Sequence, residues 1–140
     1  DTSQEALACV REAAGHTVTL LTHGVMVNEV LAAAELLEKK QIHAQVYKAN
    51  RIDGEFEQAF AEKQAELSGW CVVVEDNVKS GSLGEWVAAH RTEHTDLLDT
   101  GDRFLPHGGV TEIYRHCGLD AQGIAAFVTN QWKRKENSLG

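Results

Sequence analysis

Three observations predict an α/β domain with a mostly parallel sheet between helical layers. Short apolar, β-branched segments alternate with stretches whose apolar residues recur at intervals of three and four. One segment, Trp70-Cys71-Val72-Val73-Val74-Glu75, is apolar without a break until its last residue, as a central strand covered on both faces requires. The composition is 43% hydrophobic and 24% charged with a single proline, which excludes disordered, collagenous and mucin-like chains.

Each element is legible in turn. Val18-Thr19-Leu20-Leu21-Thr22, bounded by Gly15-His16 and His23-Gly24, reads as a buried strand. From Val25 to Lys40 the apolar positions Val27, Val30, Leu31, Ala34 and Leu37 form one stripe. Asn28, Glu29, Glu35, Glu38 and Lys39 take the other face of this amphipathic helix. Ala44 to Ala49 reads as the next strand, and Phe56, Ala59, Phe60, Lys63 and Leu67 mark the next helix face, with Lys63 its one polar member. After Trp70 to Glu75 comes a helix carrying Leu83, Trp86, Val87 and His90, then a weaker strand at Asp96 to Thr100. Two short helices close the chain, Val110 to Cys117 and Ala121 to Trp132, the second with Asp120 as N-cap. Residues 1–132 are expected to form one domain and 133–140 a frayed polar tail. The stretch Ala6 to Arg11 fits either a helix or an edge strand, since so few residues carry no decisive period.

At 140 residues, one ordinary core burying roughly 68% of the unfolded surface is expected. Thirteen Lys and Arg against twenty-one Asp and Glu give a net charge of −8, which opposes binding to nucleic acid or an anionic membrane. No apolar run approaches the roughly 20 residues of a membrane span. Cys9, Cys71 and Cys117 are odd in number, widely spaced and without a metal-finger pattern, and Asp1 to Glu5 does not read as a secretory signal. A reducing, cytoplasmic setting and structural thiols are the expectation.

Ligands of open α/β sheets sit beyond the carboxyl ends of the strands, so the loops after each strand are where chemistry is sought. The strongest signal is Glu75 to Gly84, a strand end, a Gly and Ser loop and a helix start. Amides at such a start favour anions, which makes His23, Gly24, Ser80, Gly81, Ser82 and Gly84 a candidate anion site. The plain alternative is that the glycines serve the turn and a serine caps the helix. Neither a Walker loop nor a G-x-G-x-x-G fingerprint is present. Glu75 and Asp76 could pair around a metal or a phosphoryl group, but His23-Gly24 stands where a second acid would be needed. His90 and His94, four apart, would share a helix face as zinc ligands do, yet no third ligand accompanies them. The loop Asp102 to Gly108 mixes acid, base, aromatic and histidine; Asp102, Phe104, His107 and Gly108 are interface candidates, Phe104 being large and apolar in a polar loop. No catalytic constellation is visible in the chain.

Taken together, Val18 to Gly24, Val72-Val73-Val74-Glu75, Gly81-Ser82-Leu83-Gly84, Asp102-Arg103-Phe104-x-x-His107-Gly108 and Cys117-Gly118-Leu119-Asp120-x-x-Gly123-Ile124 resemble the C-terminal domain of transketolase-like thiamine diphosphate enzymes. Within that family the similarity is greatest to the 1-deoxy-D-xylulose-5-phosphate synthase branch. Gly81-Ser82 stands where the family usually has two glycines, and Arg51-Ile52-Asp53-Gly54 where it usually has a lysine-proline-aspartate turn. The resemblance implies a three-layer αβα fold with a five-stranded mixed sheet, an antiparallel first strand at Ala6 to Arg11, and the Val18 strand beside the Val72 strand. It implies that this chain binds no cofactor itself. Thiamine diphosphate and magnesium would belong to N-terminal and middle domains or a partner subunit, with which the chain would form a homo- or hetero-oligomer.

Two functional readings follow. The chain is a C-terminal domain or subunit of a thiamine-dependent transketolase or synthase, supporting assembly without supplying reacting groups. Alternatively it is a free-standing α/β module whose loops recognise a small anion or a protein partner.

Overall fold

The computed structural model describes residues 5–23, 26–75, 83–91, 93–99 and 120–139. In chain order these form β1 (Leu7–Arg11), β2 (Val18–His23), α1 (Val27–Glu38), β3 (Ala44–Ala49), α2 (Gly54–Glu62), β4 (Cys71–Glu75), α3 (Leu83–Ala89), β5 (Thr95–Asp99) and α4 (Ala121–Leu139). The strand order is β1-β3-β2-β4-β5. All neighbours are parallel except β1, which runs antiparallel to β3 with a register shift between Cys9 and Arg11. Ala6 to Arg11 is thus largely strand, and β2 lies beside β4 as the resemblance implies.

Alternation along the strands assigns the two helical layers. Val18, Leu20, Val46, Val72 and Val74 face one way and bury against Val30, Ala34 and Leu37 of α1 and Ile124 and Val128 of α4. Leu21, Tyr47, Cys71 and Val73 face the other way, against Phe56 and Phe60 of α2 and Leu83 and Val87 of α3. Because β4 is sealed on both sides, its five residues are all buried, which is why its sequence does not alternate. Burying each of these apolar side chains stabilises the fold by roughly 1.5–3 kcal/mol.

Several buried polar groups hold the layers in place. Thr22 Oγ1 donates to the Val74 carbonyl at 2.9 Å. Gln45 Nε2 donates to Thr19 Oγ1 at 2.6 Å and to the Glu66 carbonyl at 2.7 Å. Arg91, whose side chain is 2% exposed, donates to the Leu67 carbonyl at 2.6 Å, to the Gly69 carbonyl and to Thr95 Oγ1 at 2.9 Å. One guanidinium therefore ties the loop before β4 to β5, satisfying carbonyls that the turn would leave without partners.

Helix ends follow local chemistry. Asp53 accepts from the Phe56 amide at 3.0 Å and starts α2. Asp120 accepts from the Gly123 amide at 2.9 Å, as its position suggested, and Glu29 of α1 accepts from the Ala121 amide at 2.7 Å. Two carboxylates thus meet the positive end of α4. After α1 the chain closes a Schellman turn: the Ile42 amide donates to the Leu37 carbonyl at 3.0 Å and the Gln41 amide to the Glu38 carbonyl at 2.9 Å. Glycine normally occupies the left-handed position of that turn, but Gln41 sits there with φ 64°.

Four expectations require correction. The last helix does not end at Trp132 but continues to Leu139, so residues 133–139 are helical instead of a frayed tail. The reason is packing: Trp132 stacks on Trp70 with ring centroids 6.0 Å apart, and Lys135 Nζ lies 4.8 Å over the Trp70 ring. α1 ends at Glu38, two residues before Lys40, where the Schellman turn begins. α2 stops at Glu62, although Leu67 beyond it remains buried. His94 is on no helix; it precedes β5, with Nε2 3.0 Å from Asp96 Oδ1, while His90 stacks on Trp86 just past α3. The helix read at Val110 to Cys117 lies outside the described residues.

Replacing Gln41 with glycine removes the left-handed strain without touching a buried side chain. Gln41→Gly is expected to raise the unfolding free energy by about 0.5–1 kcal/mol, read from urea denaturation.

Candidate functional site

The strand order defines where a site can form. From β2 the chain crosses through α1 to β3 on one side, and from β3 it crosses through α2 to β4 on the other side of β2. β2 and β4 are therefore parallel neighbours whose following segments diverge, leaving a crevice beyond their carboxyl ends. His23 ends β2 and Glu75 ends β4 at that crevice.

Glu75 is 3% exposed, and its Oε2 accepts from the amide of Gly84 at 2.8 Å in the first turn of α3. A carboxylate is the natural partner for that amide, because the positive end of a helix favours negative charge. Gly84 has its own steric reason to lack a side chain: an added Cβ would come within 3.0 Å of Leu97 Cδ2 on β5. Strand end, helix start and edge strand are locked together by these two contacts.

This arrangement corrects part of the candidate anion site. The Gly84 amide already holds the chain's own carboxylate, so it is not available to an external anion. Gly24, Ser80, Gly81 and Ser82 lie outside the described residues, as does Asp76, once paired with Glu75 in the metal or phosphoryl reading. Burial holds the His23 imidazole below its ordinary range, which keeps it neutral and weakens any attraction for an anion. Among the described residues no three His, Cys, Asp or Glu side chains are placed to hold a metal ion. Asp102, Phe104, His107 and Gly108 also lie outside the described residues.

The thiols reinforce a structural picture. Burial pushes the Cys71 thiol up to about 12, and it also raises that of half-buried Cys9, so neither is a ready thiolate. Tyr47, opposite Cys9 in the β1–β3 pair, is pushed up to about 12 by burial and then by the neighbouring Cys9. Sequence reasoning missed that Glu75 closes the α3 turn and that Arg91 is buried. An acid ending an otherwise apolar strand was the one available signal for the first, and nothing local announced the second.

With the geometry established, comparison with known proteins gives the family. The family model for "Transketolase, C-terminal domain" matches residues 8–124. The 1-deoxy-D-xylulose-5-phosphate synthase of Chlorobium luteolum is 35% identical over 128 residues, covering 85% of this chain and 19% of the relative. That of Thioalkalivibrio sulfidiphilus is 35% identical over 119 residues, covering 81% and 18%. Among solved structures, transketolase from Campylobacter jejuni superposes with a TM-score of 0.72 at 20% identity over 93% of this chain and 19% of the other. A split-gene transketolase, solved as an inactive β4 tetramer, gives 0.69 at 20% identity over 89% of this chain and 41% of the other. The chain belongs to the transketolase C-terminal domain family, and it spans about a fifth of the length of these curated relatives. No helix among the described residues is long and apolar enough to cross a membrane.

Two outcomes test the crevice. Glu75→Ala removes the partner of a buried amide and is expected to destabilise the fold by about 2–3 kcal/mol, with Glu75→Gln costing less than half of that because an oxygen acceptor remains. His23, held below the ordinary value of 6.5, takes up its proton in the unfolded chain first. Stability it contributes is therefore present above that value and lost as pH falls. Urea midpoints followed from about pH 7.5 to pH 5 should drop more steeply for the parent than for His23→Gln.

Proposed function

We propose that the chain is the C-terminal domain or subunit of a 1-deoxy-D-xylulose-5-phosphate synthase-like or transketolase enzyme and that it serves assembly. The observation that carries this reading is the family match across residues 8–124 in a chain that spans only 19% of a synthase relative. The crevice is consistent with it. Its buried carboxyl group ties α3 to β4, and its histidine is held neutral by burial.

In this reading thiamine diphosphate and magnesium reside on N-terminal and middle domains or on a partner subunit, in a homo- or hetero-oligomer of cytoplasmic location. The cofactor supplies carbanion stabilisation there. This chain's part is to present a rigid face that fixes those domains. The split-gene neighbour supports the idea that a chain carrying this fold can be separate from the rest of its enzyme and inactive alone. Residues Asp102 to Gly108 are the proposed contact, with Phe104 as the anchor.

Recombination tests the proposal. The chain alone should give no thiamine-dependent turnover, and adding the matching domains should restore both association and turnover. Phe104→Ala is expected to weaken that association by about 1–3 kcal/mol while leaving the melting transition in place. Turnover by the isolated chain, or a Phe104→Ala protein that associates normally and melts far earlier, would refute the respective claims.

A further inference from the structure

On the amino-end side of the sheet, away from the crevice, a cleft of about 530 Å³ lies between the end of α1 and the distal half of α4. We infer that this cleft binds a small organic anion, a phosphate monoester or similar group carried on a flat apolar body. Its size is that of a small-molecule site.

Charge is the first argument. The protein has a net charge of −8, yet Lys39, Lys40, Lys133, Arg134 and Lys135, five of its thirteen Lys and Arg, are gathered on the two segments that border the cleft. Arg11, Arg51 and Arg91 each lie against a carboxylate. Lys39, Lys40, Lys133 and Arg134 pair with no carboxylate among the described residues. A field of uncompensated cations on an acidic protein attracts anions.

The lining gives the second argument. Lys40 and Lys133 contribute donors only, and so does the indole of Trp132, which has no hydrogen-bond partner among the described residues. The Thr129 hydroxyl is already committed to the Ala125 carbonyl at 2.7 Å. The α1 carbonyls of Leu37 and Glu38, which would repel an anion, are covered by the amides of the Schellman turn. Buried Ile42 and the Trp132 ring add apolar surface, and the one acid in the lining, Glu136, is exposed. Donors around an apolar floor suit an anionic head on a flat body.

Backbone geometry is the third argument. Gln41, also in the lining, holds φ 64° where glycine would relieve strain, and such residues concentrate at functional positions. Its side-chain amide adds a donor that glycine would lack.

Calorimetric titration of the intact protein with phenyl phosphate tests the inference, with inorganic phosphate as the companion probe. Saturable one-to-one binding is expected, several-fold tighter for phenyl phosphate. The Lys40→Gln/Lys133→Gln pair should weaken it about tenfold or more, Glu136→Gln should tighten it about two- to threefold, and Lys63→Gln, on the other layer, should leave it unchanged. Trp132→Phe keeps an aromatic floor and should weaken binding through the lost donor, giving a second readout if the lysine pair folds poorly. Absence of saturable heat up to about 20 mM phenyl phosphate, or binding as tight in the lysine pair as in the parent, would overturn the proposal. So would a lysine pair that loses subunit association while phenyl phosphate still fails to bind the parent, since the cleft would then be a protein contact.

Discussion

Parallel strands β2 and β4 lie side by side in the middle of the sheet with helices on both faces, so nearly every side chain along them must be apolar or find a partner inside the protein. Thr19 and Thr22 find Gln45 and the Val74 carbonyl. Glu75, the last residue of β4, has a carboxyl group to place at the edge of this dry region and places it on the first turn of α3. Gly84 must then come close to β5, and Leu97 fills the space a side chain would have taken. The position of α3 is a consequence of how β4 ends. An isolated ionised carboxylate at that depth would be far less favourable than one at a helix start, which is why the strand end and the helix start are coupled.

The same coupling bears on function. In open α/β sheets a helix start at a switch point is a place where many proteins receive an external anion. Here a side chain of the same fold occupies one of those amides, and the neighbouring histidine is held neutral by burial. Such an edge fits the proposed role in assembly, in a chain that belongs to the transketolase C-terminal domain family and spans a small share of its relatives.

Much of this fold was legible because its strands are sealed on both faces. Ala44 to Ala49 was read with the bounds that β3 has, and the unbroken apolar run at Cys71 to Val74 signalled β4 because a two-faced strand cannot alternate. Apolar residues at three and four located α1 for the same reason of burial, although its end was placed two residues late because Gln41 stands where glycine marks a helix stop. The final helix was cut short because Lys133, Arg134, Lys135 and Glu136 look like a solvated end. The Trp70 ring, 62 residues earlier in sequence than Trp132, is a surface on which Trp132 and Lys135 rest, and nothing local announces it. That Glu75 meets an amide nine residues further on was not legible, because a sequence cannot reveal that the start of α3 will fold back onto the end of β4. Of the residues in the candidate anion site, Gly84 is the one whose amide the fold gives to its own carboxyl group.

The bond from Glu29 to the Ala121 amide joins positions 92 residues apart. Until α4 is made, Val30, Ala33, Ala34 and Leu37 of α1 lack Ile124, Ala125 and Val128, with which they share one core. A nascent chain that has emerged only as far as β5 is thus a sheet with one helical layer incomplete and an apolar stripe open to water. Such a species is prone to sticking to its neighbours, and long-range closure of this kind is slow. The helix that covers α1 follows β5 in the chain, so truncation anywhere before α4 would leave a sticky intermediate in place of a smaller domain.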